Sequence, residues 1–163
     1  MDAGQQPERA VPQSSDADCG PVVLVLVEDR VGSLALLLVA VEIAAALHAR
    51  LHVAHVRARR LLWAGMAGVP VPAYLRAEAD SLAEDRLRGK VASLLDLTSA
   101  KWTFTSAMGS VRHTVIALAD ALSPVAVVLG APRRNRFVMR RSLVRCLIGR
   151  SSVKAVVVVA ARS

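Results

Sequence analysis

Two continuous apolar runs mark the centre of the predicted fold. Residues 22–27 read Val-Val-Leu-Val-Leu-Val, and residues 125–129 read Val-Ala-Val-Val-Leu. Strands covered on both faces lack polar alternation, and they occur mainly in parallel sheets that lie between helices. The two runs therefore predict the two central strands of a parallel sheet.

The pattern between these runs predicts helices that alternate with further strands. Residues 33–48 are apolar on nearly all sides, with Glu42 as the one acid, which predicts a helix buried on more than one side. Residues 57–72 carry glycines and prolines and are predicted to be a connection with one helical turn near 61–66. The other predicted elements are strands at 50–56, 101–107 and 153–161, and helices at 73–97, from the Gly109-Ser110 cap to 122, and after Pro132.

This order predicts an α/β fold with a five-stranded parallel sheet in the strand order 3-2-1-4-5. The chain has 163 residues, enough for one domain with a real core. Residues 1–20 are polar and are predicted to be a disordered arm, and residues 21–163 form the domain. Aromatic residues make up only 3% of the chain, so Val, Leu and Ala must build the core.

Cysteine content and hydropathy indicate a reduced, cytoplasmic protein. Two cysteines are too few for a disulfide framework, and Cys146 lies in an apolar pattern that predicts a buried thiol. No signal peptide is recognised in the first 20 residues. The longest apolar run, 34–47, is too short to span a bilayer, which needs about 20 residues.

An Arg-rich turn and helix follow the second central run. The net charge is +8, and arginines at 133, 134, 136, 140 and 141 follow Gly130 closely. A strand, a tight turn and a helix start are where α/β proteins bind phosphates, and Arg adds charge and bidentate hydrogen bonds. The alternative is that these arginines form a solvated loop and an outer helix face.

The order of elements and several local sequences resemble the universal stress protein family. The resemblance covers about residues 21–161 and includes the opening strand with its acidic end, the Ala-rich helix and the stretch 47–56. It also includes a pattern of small and apolar residues in the third helix and fourth strand, at Gly109, Ile116, Ala119 and 127–130. It implies a single-domain Rossmann-like sandwich of the adenine nucleotide alpha hydrolase-like type.

The resemblance also implies a set of candidate nucleotide-binding residues. Nucleotide-binding members of the family carry Gly, two residues, Gly, nine residues, Gly, then Ser or Thr. Gly130 matches the first glycine, Arg133 stands at the second, and the third falls on Leu143 or, with a two-residue slip, on Arg141 before Ser142. The complete set of candidates is Glu28, Asp29, Val56, Gly130, Arg133, Arg134 and Ser142. Glu28 and Asp29 are candidates for a ribose or metal contact, with capping of the next turn as the alternative.

The departure from the glycine pattern predicts that ATP or another adenine nucleotide binds weakly or not at all, and no cofactor is firmly implied. No catalytic constellation or metal cluster is recognised, so the chain is predicted to be a non-catalytic stress-response protein. The alternatives are a nucleic-acid-binding accessory protein, disfavoured by the scarcity of aromatic residues, and a nucleotide hydrolase. The apolar last strand, 153–161, predicts a homodimer in which this strand contacts its copy.

Overall fold

The computed structural model shows one five-stranded parallel sheet with helices on both faces. The residues that the structure describes are 20–28, 33–57, 63–64, 69–70, 72–131, 137–149 and 153–159. The strands are β1 (Val22–Val27), β2 (Arg50–Arg57), β3 (Trp63–Ala64), β4 (Val69–Pro70), β5 (Trp102–Met108), β6 (Ala126–Gly130) and β7 (Ala155–Val159). The helices are α1 (Ser33–Ala46), α2 (Ala73–Leu95), α3 (Val111–Leu122) and α4 (Phe137–Ile148).

The strand order of the sheet is β5-β2-β1-β6-β7, and all four strand pairs are parallel. This confirms the predicted 3-2-1-4-5 order and the α/β class. Every residue of β1 is buried, as are the first four residues of β6. The unbroken apolar runs thus lie where both faces of the sheet are covered, because a polar side chain there would lose its water.

Two hydrophobic cores lie on opposite faces of the sheet. Helices α1 and α2 cover one face, where Val23, Val25 and Val53 point, and helices α3 and α4 cover the other, where Leu24 and Ala54 point. Successive side chains of a strand point to opposite faces, so each central strand contributes to both cores.

Helix α1 is buried on one side in this chain, and the expectation of burial on several sides is wrong for a single subunit. Leu36, Leu37 and Ala40 are buried, whereas Leu38 is 52% exposed. Helix α2 forms where it was predicted, but the expected apolar stripe is wrong for its first half, because Leu75 and Leu82 are exposed. Only the second half contributes to the core, through Leu87, Val91 and Leu95.

The connection between β2 and α2 differs from the sequence prediction. Residues 63–64 and 69–70 pair as a short antiparallel ribbon, with Trp63 opposite Pro70 and Ala64 opposite Val69. A helical turn over 61–66 is therefore wrong at Trp63 and Ala64. Two-residue strands are too short to show a periodicity, so the pattern could not reveal them.

Strands β5 and β7 form the two edges of the sheet. The edge position predicted for the last strand is confirmed, with Val158 46% exposed. In the described ranges, no helix is both long enough and apolar enough to cross a membrane.

Candidate functional site

In the sheet, β2 lies next to β1 on one side and β6 lies next to it on the other. The order in which strands are added to the sheet therefore changes direction at β1. In open α/β sheets, ligands bind outside the carboxyl ends of the strands at such a change of direction. The crevice beyond the ends of β1 and β6 is therefore the candidate site.

Three described residues mark this crevice. Glu28 follows β1 directly and is half-buried, and Gly130 ends β6 and is also half-buried. The N–H of Ala131 donates a hydrogen bond of 2.6 Å to the Val159 carbonyl oxygen of β7. The backbone after Gly130 is thus fixed by its neighbouring strand. The candidates Asp29, Arg133 and Arg134 lie outside the described residues.

Val56 lies near the carboxyl end of β2, but its side chain is only 8% exposed. It belongs to the core beneath α3 and α4, together with Ala54 and Leu129. A ligand at this edge could meet the main chain of Val56, whereas the side chain supports the sheet.

Ser142 lies in the second turn of α4 and is half-buried. The next residue, Leu143, is 2% exposed and packs in the core with Leu147. The third glycine position, counted without the slip, therefore holds a core leucine. No described contact joins Ser142 to Glu28 or Gly130.

Arg57 is a residue at this edge that the sequence analysis did not assign to the site. One guanidinium nitrogen donates to the Asp80 carbonyl oxygen at 2.7 Å, and the other donates to Glu84 Oε2 at 2.9 Å. The Arg57 side chain is 21% exposed. Its Nε is buried, without a hydrogen-bond partner among the described residues. The signal in the sequence was the spacing of Asp80 and Glu84, which places two carboxylates on one face of α2.

Gly109 links the ends of β2 and β5. Its N–H donates to the Arg57 carbonyl oxygen at 2.9 Å, and its φ of 143° is one that residues with a Cβ rarely adopt. At the end of β2, the main chain of Arg57 is thus bound by Gly109, and its side chain is bound by α2.

His55 is buried near the carboxyl end of β2, opposite Val27, whereas His52 and Cys146 lie away from this edge. His52 Nδ1 is 2.8 Å from Thr103 Oγ1 of β5, and burial lowers the pKa of His52, with a smaller effect of the Arg50 charge. Cys146 is half-buried rather than buried as predicted, because α4 turns it toward Arg112, whose guanidinium donates to Sγ at 3.3 Å. Across the described ranges, no group of three or more His, Cys, Asp or Glu residues could hold a metal ion.

A five-stranded parallel sheet in this strand order, with helices on both faces, defines a Rossmann-like α/β protein. Within that class, a model of the universal stress protein family matches residues 21–159. The chain belongs to the universal stress protein family. No protein of curated function matches it.

Solved structures of this family share the fold. A family member from Burkholderia pseudomallei has 16% identity and a TM-score of 0.63, with 88% of this chain and 98% of that chain covered. A universal stress protein in complex with cAMP has 20% identity and a TM-score of 0.54, with coverage of 88% and 98%. A universal stress protein from Archaeoglobus fulgidus in complex with dAMP has 16% identity and a TM-score of 0.54, with coverage of 85% and 96%.

Proposed function

We propose that this chain is a non-catalytic universal stress protein that acts in a stress response in the cytoplasm, with weak or lost binding of adenine nucleotides. The observation that carries the proposal is the position of Gly130, at the end of β6 beside the crevice where β1 ends. Two family members of similar fold were solved with cAMP and with dAMP, which supports an adenine nucleotide as the ligand class.

Weak affinity follows from the residues that replace the family's glycines. A backbone that approaches phosphates closely needs residues without a Cβ, and only Gly130 meets that need here. Arg133 stands at the second glycine position, and Leu143 at the third is part of the core. The slipped alternative, Arg141-Ser142, lies within α4 rather than before it.

Calorimetric titration of the full chain with ATP, AMP and cAMP tests the proposal. We expect dissociation constants in the micromolar to millimolar range, which correspond to binding free energies of about 4–8 kcal/mol, or no detectable binding. A nanomolar affinity for ATP would contradict weak binding. Release of inorganic phosphate from ATP, measured with the same protein, would contradict the non-catalytic assignment and favour a hydrolase.

The proposed assembly is a homodimer through β7 and its flanks. Exposed apolar edge strands promote pairing with another chain unless they are covered. Strand β7 is such an edge, and its only flanking charge in the described residues is that of Lys154, which is exposed. Two copies related by a twofold axis would cover this edge with the same surface on each subunit.

A further inference from the structure

A second cleft lies at the opposite, amino edge of the sheet. Its volume is about 470 Å³, within the range typical of small-molecule sites. It is formed where α1 and α2 end and where β2 and β5 begin. A strand of six to eight residues separates this edge from the crevice beside Gly130, a distance of about 20 Å.

The described residues that line this cleft include three basic side chains and, among themselves, no carboxylate. His48, Arg50 and Lys101 contribute three basic side chains, and Ser99 contributes a hydroxyl. The remaining walls are formed mainly by small apolar side chains of α1 and the following turn. The charge of Arg50 is shared, because it also acts on His52. His48 and Lys101 are therefore chosen for substitution, because a change at Arg50 would also alter the surroundings of His52.

The ends of the two helices would repel an anion if their carbonyl groups were free, because a helix C-terminus carries partial negative charge. Several are instead occupied by local hydrogen bonds. The N–H of Ala49 donates to the Ala44 oxygen at 2.8 Å, and the N–H of His48 donates to the Ala45 oxygen at 3.2 Å. At the end of α2, Leu95 accepts from both the N–H and the hydroxyl of Thr98.

The hydrogen bonds after α1 form a Schellman motif, in which the residue at C′ has left-handed backbone and is usually glycine. Here that residue is His48, with φ of 48°. Left-handed backbone is strained for a residue with a Cβ, and such strain often accompanies function. Glycine would suit this turn better, so His48 places an imidazole at the rim of the cleft at some cost in backbone strain.

We infer that this cleft binds a small phosphate monoester, with His48 and Lys101 contacting the phosphate and the small apolar residues facing its carbon part. A phosphate monoester carries nearly two negative charges at neutral pH, which matches a cluster of basic residues better than a single carboxylate does. Charge-assisted hydrogen bonds to such a group are about twice as strong as neutral ones.

Two-dimensional NMR of the ¹⁵N-labelled full chain, titrated with inorganic phosphate and phenyl phosphate at constant ionic strength, tests this inference. We expect saturable shifts of the amides of His48, Ala49 and Ser99, with a Kd below about 1 mM. Lys101→Gln should weaken binding about tenfold. Lys90→Gln, the same change at an exposed position of α2 outside the cleft, should leave the Kd unchanged. Shifts that fail to saturate, or equal weakening by both variants, would overturn the inference.

Two further variants test whether His48 contacts the phosphate and whether carboxylates of the chain itself occupy the cleft. His48→Gly should raise the melting temperature by relieving the left-handed backbone, and should weaken phosphate binding about tenfold. Unchanged binding by this more stable variant would show that His48 does not contact the ligand and would overturn the site as stated.

Asp16 and Asp18 lie just before Gly20, which lines the cleft. Phosphate binding that appears only after Asp16→Asn and Asp18→Asn would mean that the chain's own carboxylates occupy the cleft, which also overturns the inference.

Phosphate could also bind at the carboxyl edge, and the position of the shifts distinguishes the two sites. Shifts confined to Glu28, Gly130 and Ala131 would overturn the second site while supporting the nucleotide crevice. Shifts at His48 and Ser99 that persist when AMP is present in excess would support a separate site, whether or not the nucleotide proposal holds.

Discussion

His52 lies on β2, between β1 and β5 in the sheet, and its side chain is on the same face as that of Leu24, where it is largely shielded from water. Its residue exposure is 9%, and its Nε2 is buried without a hydrogen-bond partner among the described residues. Burial, and to a smaller extent the Arg50 charge, lowers the pKa of His52 in the folded chain. The unfolded chain therefore binds the proton more readily than the folded chain does.

We predict that His52 makes the protein less stable in mild acid. Its contribution is complete above the ordinary histidine pKa of about 6.5 and is lost as the pH falls below that value. Replacement by His52→Gln should make the free energy of unfolding less dependent on pH between about 7.5 and 5.5. Urea denaturation at several pH values measures this. An equal slope in His52→Gln and the wild type would contradict the prediction.

A second prediction at this scale concerns Arg57 and Glu84, which form a close, partly buried ion pair. A double-mutant cycle with Arg57→Gln and Glu84→Gln should give a coupling free energy of about 1 kcal/mol. Arg88→Gln, an exposed change on the same helix, should alter the free energy of unfolding by less than about 0.5 kcal/mol. A coupling near zero would show that the contact only accompanies the packing of α2. The spacing of Asp80 and Glu84 placed both carboxylates on one face of α2, but it could not identify Arg57 as their partner, because only the fold brings residues so far apart together.

A third prediction concerns Arg133 and Arg134, which lie outside the described residues. If calorimetry detects weak nucleotide binding, Arg133→Ala and Arg134→Ala should each reduce the binding free energy by about 1–3 kcal/mol, through loss of a charged hydrogen bond to phosphate. Arg145→Ala, in the last turn of α4, serves as the control and should not change the affinity. Equal losses in all three variants would indicate a general effect of charge rather than a contact.

At the scale of elements, α1 shows which features of a helix the hydrophobic pattern predicts and which it does not. Its length and position follow from the apolar run and the turn before it. The side that packs on the sheet does not follow, because residues on nearly every side are apolar and no polar stripe marks the exposed one. For β1 the unbroken run was sufficient, since a strand covered on both faces requires no choice of side.

We predict that two adjacent leucines of α1 differ strongly in their contribution to stability. Leu37 is fully buried against the sheet, and Leu38 is 52% exposed. Leu37→Ala should lower the free energy of unfolding by about 2–5 kcal/mol through lost burial and a cavity. Leu38→Ala is the matched control and should cost less than about 1 kcal/mol in the monomer. Chemical denaturation of both variants at low protein concentration measures the difference, and similar losses would show that α1 is covered on its outer side as well.

For the whole molecule, the sequence predicts the sheet and only part of the site. The strand order follows from the two buried runs, which are visible locally in the sequence, and from right-handed connections, which are a general rule for parallel strands. The crevice depends on which main-chain groups meet at one edge, and Glu28 and Gly130 were identifiable there because each directly follows or ends a strand. The cleft beside His48 was not identifiable, because its walls come from two helices that end and two strands that begin at the other edge.

The last prediction concerns assembly through the edge strand β7. On this strand, Val157 and Val159 pack against the core beneath α1, and Val156 packs against the opposite core, whereas Val158 is 46% exposed. Lysine at position 158 should therefore repel a second copy without entering either core.

We expect Val158→Lys to convert a dimer into a folded monomer, whereas Val157→Lys should also destabilise the fold, because it buries a charge. Met108→Lys places the same charge on the other edge strand, at a residue that is 53% exposed, and should leave the dimer intact. Sedimentation velocity of the three variants and the wild type at tens of micromolar, about the range in which modest dimers persist, measures the assembly. A wild type that is monomeric under these conditions contradicts the proposed dimer. Dissociation by Met108→Lys but not by Val158→Lys would place the contact at β5 instead, because the two strands lie at opposite edges of the sheet and a twofold contact uses the same edge of both copies.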